Sequence, residues 1–278
     1  MSGADTMRVG FIGLGSQGAP MARRIVEAGF PTTLWARRPE TTAPFGDTPA
    51  ALASSPAELG AVTDVACVCV VDDKGVEEVV AGTGGLLEGM RAGGVVVVHS
   101  TVHPETCRRL AEQASAGGIA LLDAPVSGGG PAAEEKRLLV MAGGDQVAFE
   151  RVRPVFETYG SPVVHLGPVG SGQRAKLLNN LVLAANMGVA DSAYALARGL
   201  GVDPAQLALV LAHGSGTSFA AGLLGRAGCA VAPLAEHTGQ LLRKDARLVA
   251  DLAATAGLKP GTVLAAADAA LTAMGHPR

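Results

Sequence analysis

Flat rings are scarce in this chain. One Trp, two Tyr and six Phe make up 3% of 278 residues, which leaves little surface on which nucleobases could stack. A net charge of −3 also denies it the basic footprint of a nucleic-acid binder, so nucleic acid is not expected as a partner. Without a general positive field, an anionic ligand must be held by local donors. Cysteine is sparse too: Cys67, Cys69, Cys107 and Cys229 form no C-x-x-C pair, which argues against a disulfide framework and for a reducing, cytoplasmic setting. Long apolar runs are missing. The first, residues 9–14, is short and runs into glycines, so no membrane segment is expected, and residues 1–6 read as a flexible leader.

What is present is a hydrophobic fraction of 48% and 38 glycines, enough to bury a sizeable core through small residues. The length predicts two domains. Up to Gly167, short β-rich runs alternate with helical stretches, the pattern of a parallel sheet covered by helices. Strands are predicted at 9–13, 32–36, 65–71, 95–100 and 120–124, with later ones at 138–142 and 163–166. Helices are predicted at 18–28, closed by Gly29, and at 146–159. Ser55-Pro56-Ala57-Glu58 is a capping-box start for another. From Ser171 the composition turns to Ala/Leu-rich helical patterns with no convincing strand. One helix over 171–200 would link the domains or pack against a partner subunit, and Asp203-Pro204 starts the next. The expected organisation is a dinucleotide-binding domain over 1–167 and an all-helical substrate and oligomerisation domain over 168–278.

Gly13-Leu14-Gly15-Ser16-Gln17-Gly18 follows the first predicted strand and opens the first predicted helix, the setting a dinucleotide-binding motif requires. Gly13 makes the tight turn, Gly15 admits the pyrophosphate to the backbone, and Gly18 lets helix and strand pack closely. The helix N-terminus supplies N–H groups and positive dipole for phosphate. At the end of the second strand, Trp35-Ala36-Arg37-Arg38 has no acid to accept bonds from ribose hydroxyls. The two guanidinium groups instead suit a 2′-phosphate, predicting NADP with NAD as the alternative, although a solvated arginine pair is the plainer reading.

Hydride transfer to a carbonyl leaves a developing alkoxide, which calls for a proton donor and for donors that hold the substrate carboxylate. Asp123-Ala124-Pro125-Val126-Ser127-Gly128-Gly129-Gly130 runs a strand into an N–H-rich turn suited to a carboxylate; taken alone it is equally an ordinary loop. In Gly170-Ser171-Gly172-Gln173-Arg174-Ala175-Lys176-Leu177-Leu178-Asn179-Asn180, helical spacing puts Lys176 and Asn180 on one face. A desolvated lysine has a lowered pKa that suits acid/base work near neutrality. Without further context, a solvated lysine is the plainer reading.

The order of these motifs resembles the β-hydroxyacid dehydrogenase family. It covers Gly-Phe-Ile-Gly-Leu-Gly at 10–15, Asp-Ala-Pro-Val-Ser-Gly-Gly at 123–129, Gly-Ser-Gly-Gln at 170–173 with Lys176 and Asn180, and Lys244-Asp245. The resemblance implies a doubly wound Rossmann-type α/β domain followed by an all-α domain with a long interdomain helix. It also implies a homodimer or homotetramer acting on a small β-hydroxy acid or semialdehyde. By resemblance, Lys176 is the acid/base and Asn180 its partner; Ser127, Gly128 and Gly129 contact the substrate carboxylate; and Thr101 and Lys244 touch the cofactor.

The chain departs from the family at Val71-Asp72-Asp73, where a Leu-Pro step is common, and at His99, where an acid often stands. It closes on Gly275-His276-Pro277-Arg278 in place of a Gly-rich acidic tail, and Phe219 is the lone aromatic of 214–237. Asp72-Asp73 reads as a solvated loop. His99, His103 and Glu105 do not make a convincing metal site, so no metal is expected. The competing readings are an NADPH-dependent imine reductase and a dinucleotide-binding module without turnover.

Overall fold

The computed structural model describes residues 7–278, so the leader expected over 1–6 lies outside the described residues. The chain forms two compact units, one ending at Lys176 and the other spanning Leu177–Arg278.

In the first unit, β1 (Val9–Ile12), β2 (Thr32–Trp35), β3 (Ala51–Leu52), β4 (Val65–Val68), β5 (Val95–Val98) and β6 (Ala120–Asp123) form one parallel sheet. Its order is β3-β2-β1-β4-β5-β6, so the winding reverses between β1 and β4. Helices α1 (Gly18–Glu27), α2 (Pro56–Val62), α3 (Asp73–Ala81), α4 (Leu86–Gly89) and α5 (Pro104–Ala116) alternate with the strands, giving a doubly wound Rossmann-type sheet. The strand runs are apolar throughout because both faces are covered. Phe11, Cys67 and Val97 enter one core, while Ile12, Val68 and Val98 enter the other.

The strands predicted at 65–71 and 95–100 stop early, at Val68 and Val98. The Val70 N–H leaves the ladder to donate to Ser100 Oγ at 2.8 Å, so the chain turns off the sheet there. The two-residue β3 and the 3₁₀ stretch Pro39–Phe45 carry no periodic signal and were not anticipated. Ser55 caps α2 through the Glu58 N–H at 3.1 Å, but Glu58 returns its carboxylate to the Ser54 N–H at 2.7 Å, one residue earlier than a capping box requires.

The later strands do not extend this sheet. β7 (Val126–Ser127), β8 (Leu138–Ala142) and β9 (Gly160–His165) form a second, three-stranded one, interleaved with α6 (Gly129–Glu134) and α7 (Gln146–Phe156). A single bridge fastens it to the end of β6: Asp123 N–H donates to Gly143 O at 3.0 Å, and Gly143 N–H returns to Asp123 O at 2.7 Å.

Helix α8 (Ser171–Gly199) is 29 residues long, roughly 44 Å at the usual rise, and begins in the first unit. The second unit continues with α9 (Pro204–His213), α10 (Phe219–Arg226), α11 (Gln240–Thr255) and α12 (Gly261–Ala273). A π-helical turn, Ala235–Gly239, precedes α11. The unit is helical throughout, with no strand among the described residues. Leu181, Met187, Tyr194, Leu224 and Leu271 form its core. Gly188 lets α12 approach α8, since a Cβ there would lie 2.3 Å from Ala266 O. Small residues therefore set the packing distance in a unit almost without aromatics.

Candidate functional site

The carboxyl ends of β1, β2 and β4 open into a cleft of about 380 Å³ at the reversal point of the sheet. Its walls include Gly13, Leu14 and Gly15 after β1, Arg37 and Arg38 after β2, and Val71 and Asp72 beyond β4. Gly13 adopts φ +95°, and a Cβ on it would lie 2.1 Å from Cys69 O. A Cβ on Gly18 would meet Gly13 O at 2.0 Å, so α1 can reach the strand end only through a glycine. Gly15 is different: it is exposed, and a Cβ on it would meet nothing within 4 Å. Ser16 is exposed and Gln17 half-buried, and α1 carries no side-chain cap over its first turn. Open space beside Gly15, uncapped amides and a guanidinium pair together fit a dinucleotide phosphate. Arg37 is engaged by Glu78 of α3 at 2.9 Å, with most of both side chains in water.

A second polar cluster lies at the end of β6. The Asp123 side chain is completely buried. Its Oδ1 accepts from the Gly170 N–H at 2.6 Å and its Oδ2 from the Gln173 N–H at 2.7 Å, so the carboxylate caps the N-terminus of α8. Burial pushes this carboxyl up to about 6, against the opposing effect of those two amides. Gln173, also buried, spans to the loop after β5: its Nε2 donates to Ser100 O at 2.8 Å and its Oε1 accepts from the Val102 N–H at 3.1 Å. That loop carries the half-buried Thr101. Lys176, half-buried, follows Gln173 by three residues and is the last residue of the first unit.

Ser127 ends β7, and Gly128 and Gly129 follow it, exposed and with φ of +132° and +75°. Such backbone favours glycine. At Gly130 a Cβ would lie 2.7 Å from Ser16 O, so this corner packs against the glycine loop. Of the residues predicted from sequence, the first unit thus gathers Gly13, Leu14, Gly15, Arg37 and Arg38 about one cleft, with Ser16, Gln17 and Gly18 following at its edge. It sets Gly130, the residue after 127–129, against Ser16 of the glycine loop and ties the start of the Lys176 helix to the Thr101 loop.

In the second unit, Asn180 lies on α8, one turn beyond Lys176. Its Nδ2 donates to Asp245 Oδ2 at 2.6 Å, and its Oδ1 accepts from Asn179 at 3.2 Å. Since a carboxylate only accepts, the amide orientation is settled. Lys244 Nζ stands 3.4 Å from Asp245 Oδ1, so Asn180 and Lys244 converge on one buried carboxylate.

Residue-type reasoning gave Asp123 and Gln173 no role, although both lie in quoted motifs. An acid ending a strand buried on both faces was the available signal. Of the Asp72-Asp73 pair, Asp72 is exposed in the bend before α3, whereas Asp73 is corrected from a solvated loop. Asp72 Oδ1 caps α3 through the Gly75 N–H at 2.9 Å, and Asp73 Oδ1 accepts from the His103 N–H at 2.9 Å and Thr106 Oγ1 at 2.7 Å. His99 is a core residue: its Nδ1 must donate to Ala124 O at 2.7 Å, leaving Nε2 to accept from the Tyr159 hydroxyl at 3.1 Å. Burial holds it down at about 4, against the bond to Ala124 O, so it is neutral at pH 7. Among the described residues, no group of three His, Cys, Asp or Glu is arranged to hold a metal, and no helix is long and apolar enough to cross a membrane.

Residues 8–167 match the family model for the NAD-binding domain of 6-phosphogluconate dehydrogenase. Residues 170–276 match the model described as NAD-binding of NADP-dependent 3-hydroxyisobutyrate dehydrogenase. An uncharacterized oxidoreductase of Mycobacterium tuberculosis is 37% identical over 252 residues, 88% of this chain and 85% of that protein. Mitochondrial 3-hydroxyisobutyrate dehydrogenase of Mus musculus is 36% identical over 213 residues, 77% of this chain and 64% of the mouse enzyme. The solved structure of Mycobacterium tuberculosis 3-hydroxyisobutyrate dehydrogenase with L-serine superposes with a TM-score of 0.84 at 29% identity, covering 98% of this chain and 95% of that one. Fold, cleft and matches define an NAD(P)-binding oxidoreductase. Within that class, the chain belongs to the β-hydroxyacid dehydrogenase family, alongside the 3-hydroxyisobutyrate dehydrogenases.

Proposed function

We propose that this enzyme interconverts a small β-hydroxy acid and its semialdehyde, prefers NADP(H), and uses Lys176 as its general acid/base. The observation that carries this reading is the docking of the Lys176 helix, through Asp123 and Gln173, onto the same sheet whose neighbouring strands form the cleft. When bound, the nicotinamide supplies or accepts the hydride. Lys176 Nζ takes the proton of the substrate hydroxyl on oxidation and returns it to the developing alkoxide on reduction. Asn180 holds its orientation. The Ser127 hydroxyl and the Gly128 and Gly129 amides bind the substrate carboxylate, and their exposed, left-handed backbone supports this role. The 13–18 loop binds the pyrophosphate, Arg37 and Arg38 the 2′-phosphate, and Thr101 and Lys244 further parts of the cofactor.

The protein acts in the cytoplasm as a homodimer or homotetramer. Exposed Leu178, Val182, Val189 and Leu196 along one side of α8, and the apolar α9, which buries no residue, support association with a second copy.

The test is absorbance at the NADPH band with a panel of semialdehydes and β-hydroxy acids, each with both cofactors, beside Lys176→Ala. Turnover faster with NADP(H) that falls about 1,000-fold or more in Lys176→Ala is the expected result. Turnover retained in the variant rejects the lysine. Reduction of cyclic imines alone would make the chain an imine reductase, and bound cofactor without any turnover a binding module.

A further inference from the structure

We propose that Asp123 is a positioning residue for the reaction: its carboxylate fixes the helix that carries Lys176, and Gln173 passes that setting to the loop that carries Thr101. The proposal rests on the reading of Lys176 as the acid/base.

The geometry is that of a built clasp. The Asp123 carboxylate uses one oxygen on the Gly170 amide and the other on the Gln173 amide, at 2.6 and 2.7 Å. Those amides lie on either side of the first turn of α8, so two acceptors joined by one rigid carboxyl fix that turn within the first unit. Lys176 stands less than one turn beyond Gln173. A displacement at Gly170 therefore reaches the Lys176 backbone, from which the ammonium is aimed, with little intervening slack.

Two missing side chains make the room. A Cβ on Gly143 would lie 2.6 Å from Asp123 Oδ1, and one on Gly172 would lie 3.0 Å from Oδ2 and 2.2 Å from Met141 O. The backbone bridge between Asp123 and Gly143 holds the base of the clasp. From Gln173 the chain of bonds continues. Its side chain grips Ser100 O and the Val102 N–H, and Ser100 Oγ in turn accepts from the N–H of Val70, which lines the cofactor cleft. One buried acid thereby connects the helix of the proton donor with the cleft wall.

The clasp needs the charged form. An ionised carboxylate accepts with full strength on both oxygens, whereas protonation makes one of them a hydroxyl, a weaker acceptor for its amide. The charged and titratable groups acting at this place are Arg174 of α8, which favours ionisation, and the Cys107 thiol of α5, with Asp73 of α3 beyond it. Burial holds the carboxyl at about 6, so the clasp is closed at neutral pH and opens as the solution is acidified through that value.

The experiment compares full-length wild type, Asp123→Asn and Gln173→Met. Kinetics use NADPH with the fastest substrate of the panel above, and hydrogen exchange is followed in the NADPH-bound proteins. An asparagine keeps the shape but offers one acceptor and turns an N–H₂ at the other amide. The expected result is a kcat about 100-fold lower, the size of effect that follows a misplaced catalytic group, with KM and NADPH Kd within about threefold. The acid limb of the wild-type kcat profile near pH 6 should vanish in this variant. Amide exchange should quicken about tenfold at 100–102 and 170–176 while α11 is unchanged.

Wild-type kcat and acid limb in folded Asp123→Asn overturn the proposal, as does unchanged exchange in those two segments. Should Asp123→Asn not fold, Gln173→Met decides. It keeps both caps and severs the loop tie, and is expected to lower kcat about tenfold with faster exchange at 100–102. Unaltered rate and exchange there overturn the proposal. Lys176→Ala, measured in parallel, separates the two ideas. Activity retained in it removes the lysine and this proposal with it. An inactive Lys176→Ala beside a wild-type-like Asp123→Asn removes the clasp alone.

Discussion

Two polar arrangements on the carboxyl side of one sheet differ in almost every physical respect. At the cofactor cleft, Arg37 and Glu78 meet at 2.9 Å with 64% and 59% of their side chains exposed. At the end of β6, Asp123 meets two amides at 2.6 and 2.7 Å and exposes nothing. The first is a pair in water, worth a few tenths to about 1 kcal/mol and screened by salt. The second lies where an unmet donor or acceptor costs about 1–3 kcal/mol, so its geometry is enforced. The contrast separates two tasks. Recognition of a phosphate that comes and goes uses exposed, replaceable charges, while alignment of a helix uses a buried charge that cannot reorganise.

That comparison is broken most severely at Gly18. Gly18→Ala places a Cβ 2.0 Å from Gly13 O and should cost on the order of 4 kcal/mol in denaturant unfolding. Gly15→Ala, which meets nothing, should unfold like wild type yet bind NADPH about tenfold more weakly. Equal losses of stability in the two variants would contradict the packing described.

The next effect is a pH dependence. Burial raises Asp123 from 3.8 to about 6, so between those values the folded chain holds a proton that the unfolded chain has released. Stability from this group is therefore greatest in acid and is lost as pH rises through about 6. From pH 4 to 7 the unfolding free energy of wild type should fall about 2 kcal/mol further than that of Asp123→Asn. Parallel curves would remove the buried acid. The fold is thus more secure with Asp123 protonated, while the clasp is closed with it ionised.

Smaller effects belong to the cleft. Arg37→Ala with Arg38→Ala should weaken NADPH binding about 10- to 100-fold and leave NADH within about twofold, by calorimetric titration. Glu78→Gln should tighten NADPH no more than about twofold, and the gain should disappear in high salt. A large effect of Glu78 that persists in salt would mean that the pair is not the water-screened contact described.

The legibility of the sequence follows the same division. Runs buried on both faces, such as 65–68 and 95–98, announce themselves because every position is apolar, and α8 is readable to within a residue from its composition. The glycine loop is readable because backbone geometry restricts those positions to one residue type. β7 and β3 are two residues long, too short for any period, and the second sheet escaped notice with them. Asp123 and Gln173 stand in plain sight within recognisable motifs. Their partners, however, lie 47 to 73 residues away, so nothing local marks them. Asp73 is hidden for a related reason. Two adjacent acids look like solvated surface until the fold brings His103 and Thr106 to the second of them.

The glycines around Asp123 carry a consequence for the history of the chain. Neither Gly143 nor Gly172 has room for a side chain: a Cβ on Gly143 would meet Asp123 Oδ1 at 2.6 Å and Pro168 O at 2.8 Å, and one on Gly172 would meet Met141 O at 2.2 Å. Loss of the acid alone would free neither glycine, since backbone still stands where each side chain would go. Of the three positions the acid is the one that can change by itself, and the two glycines would outlast it as an empty socket.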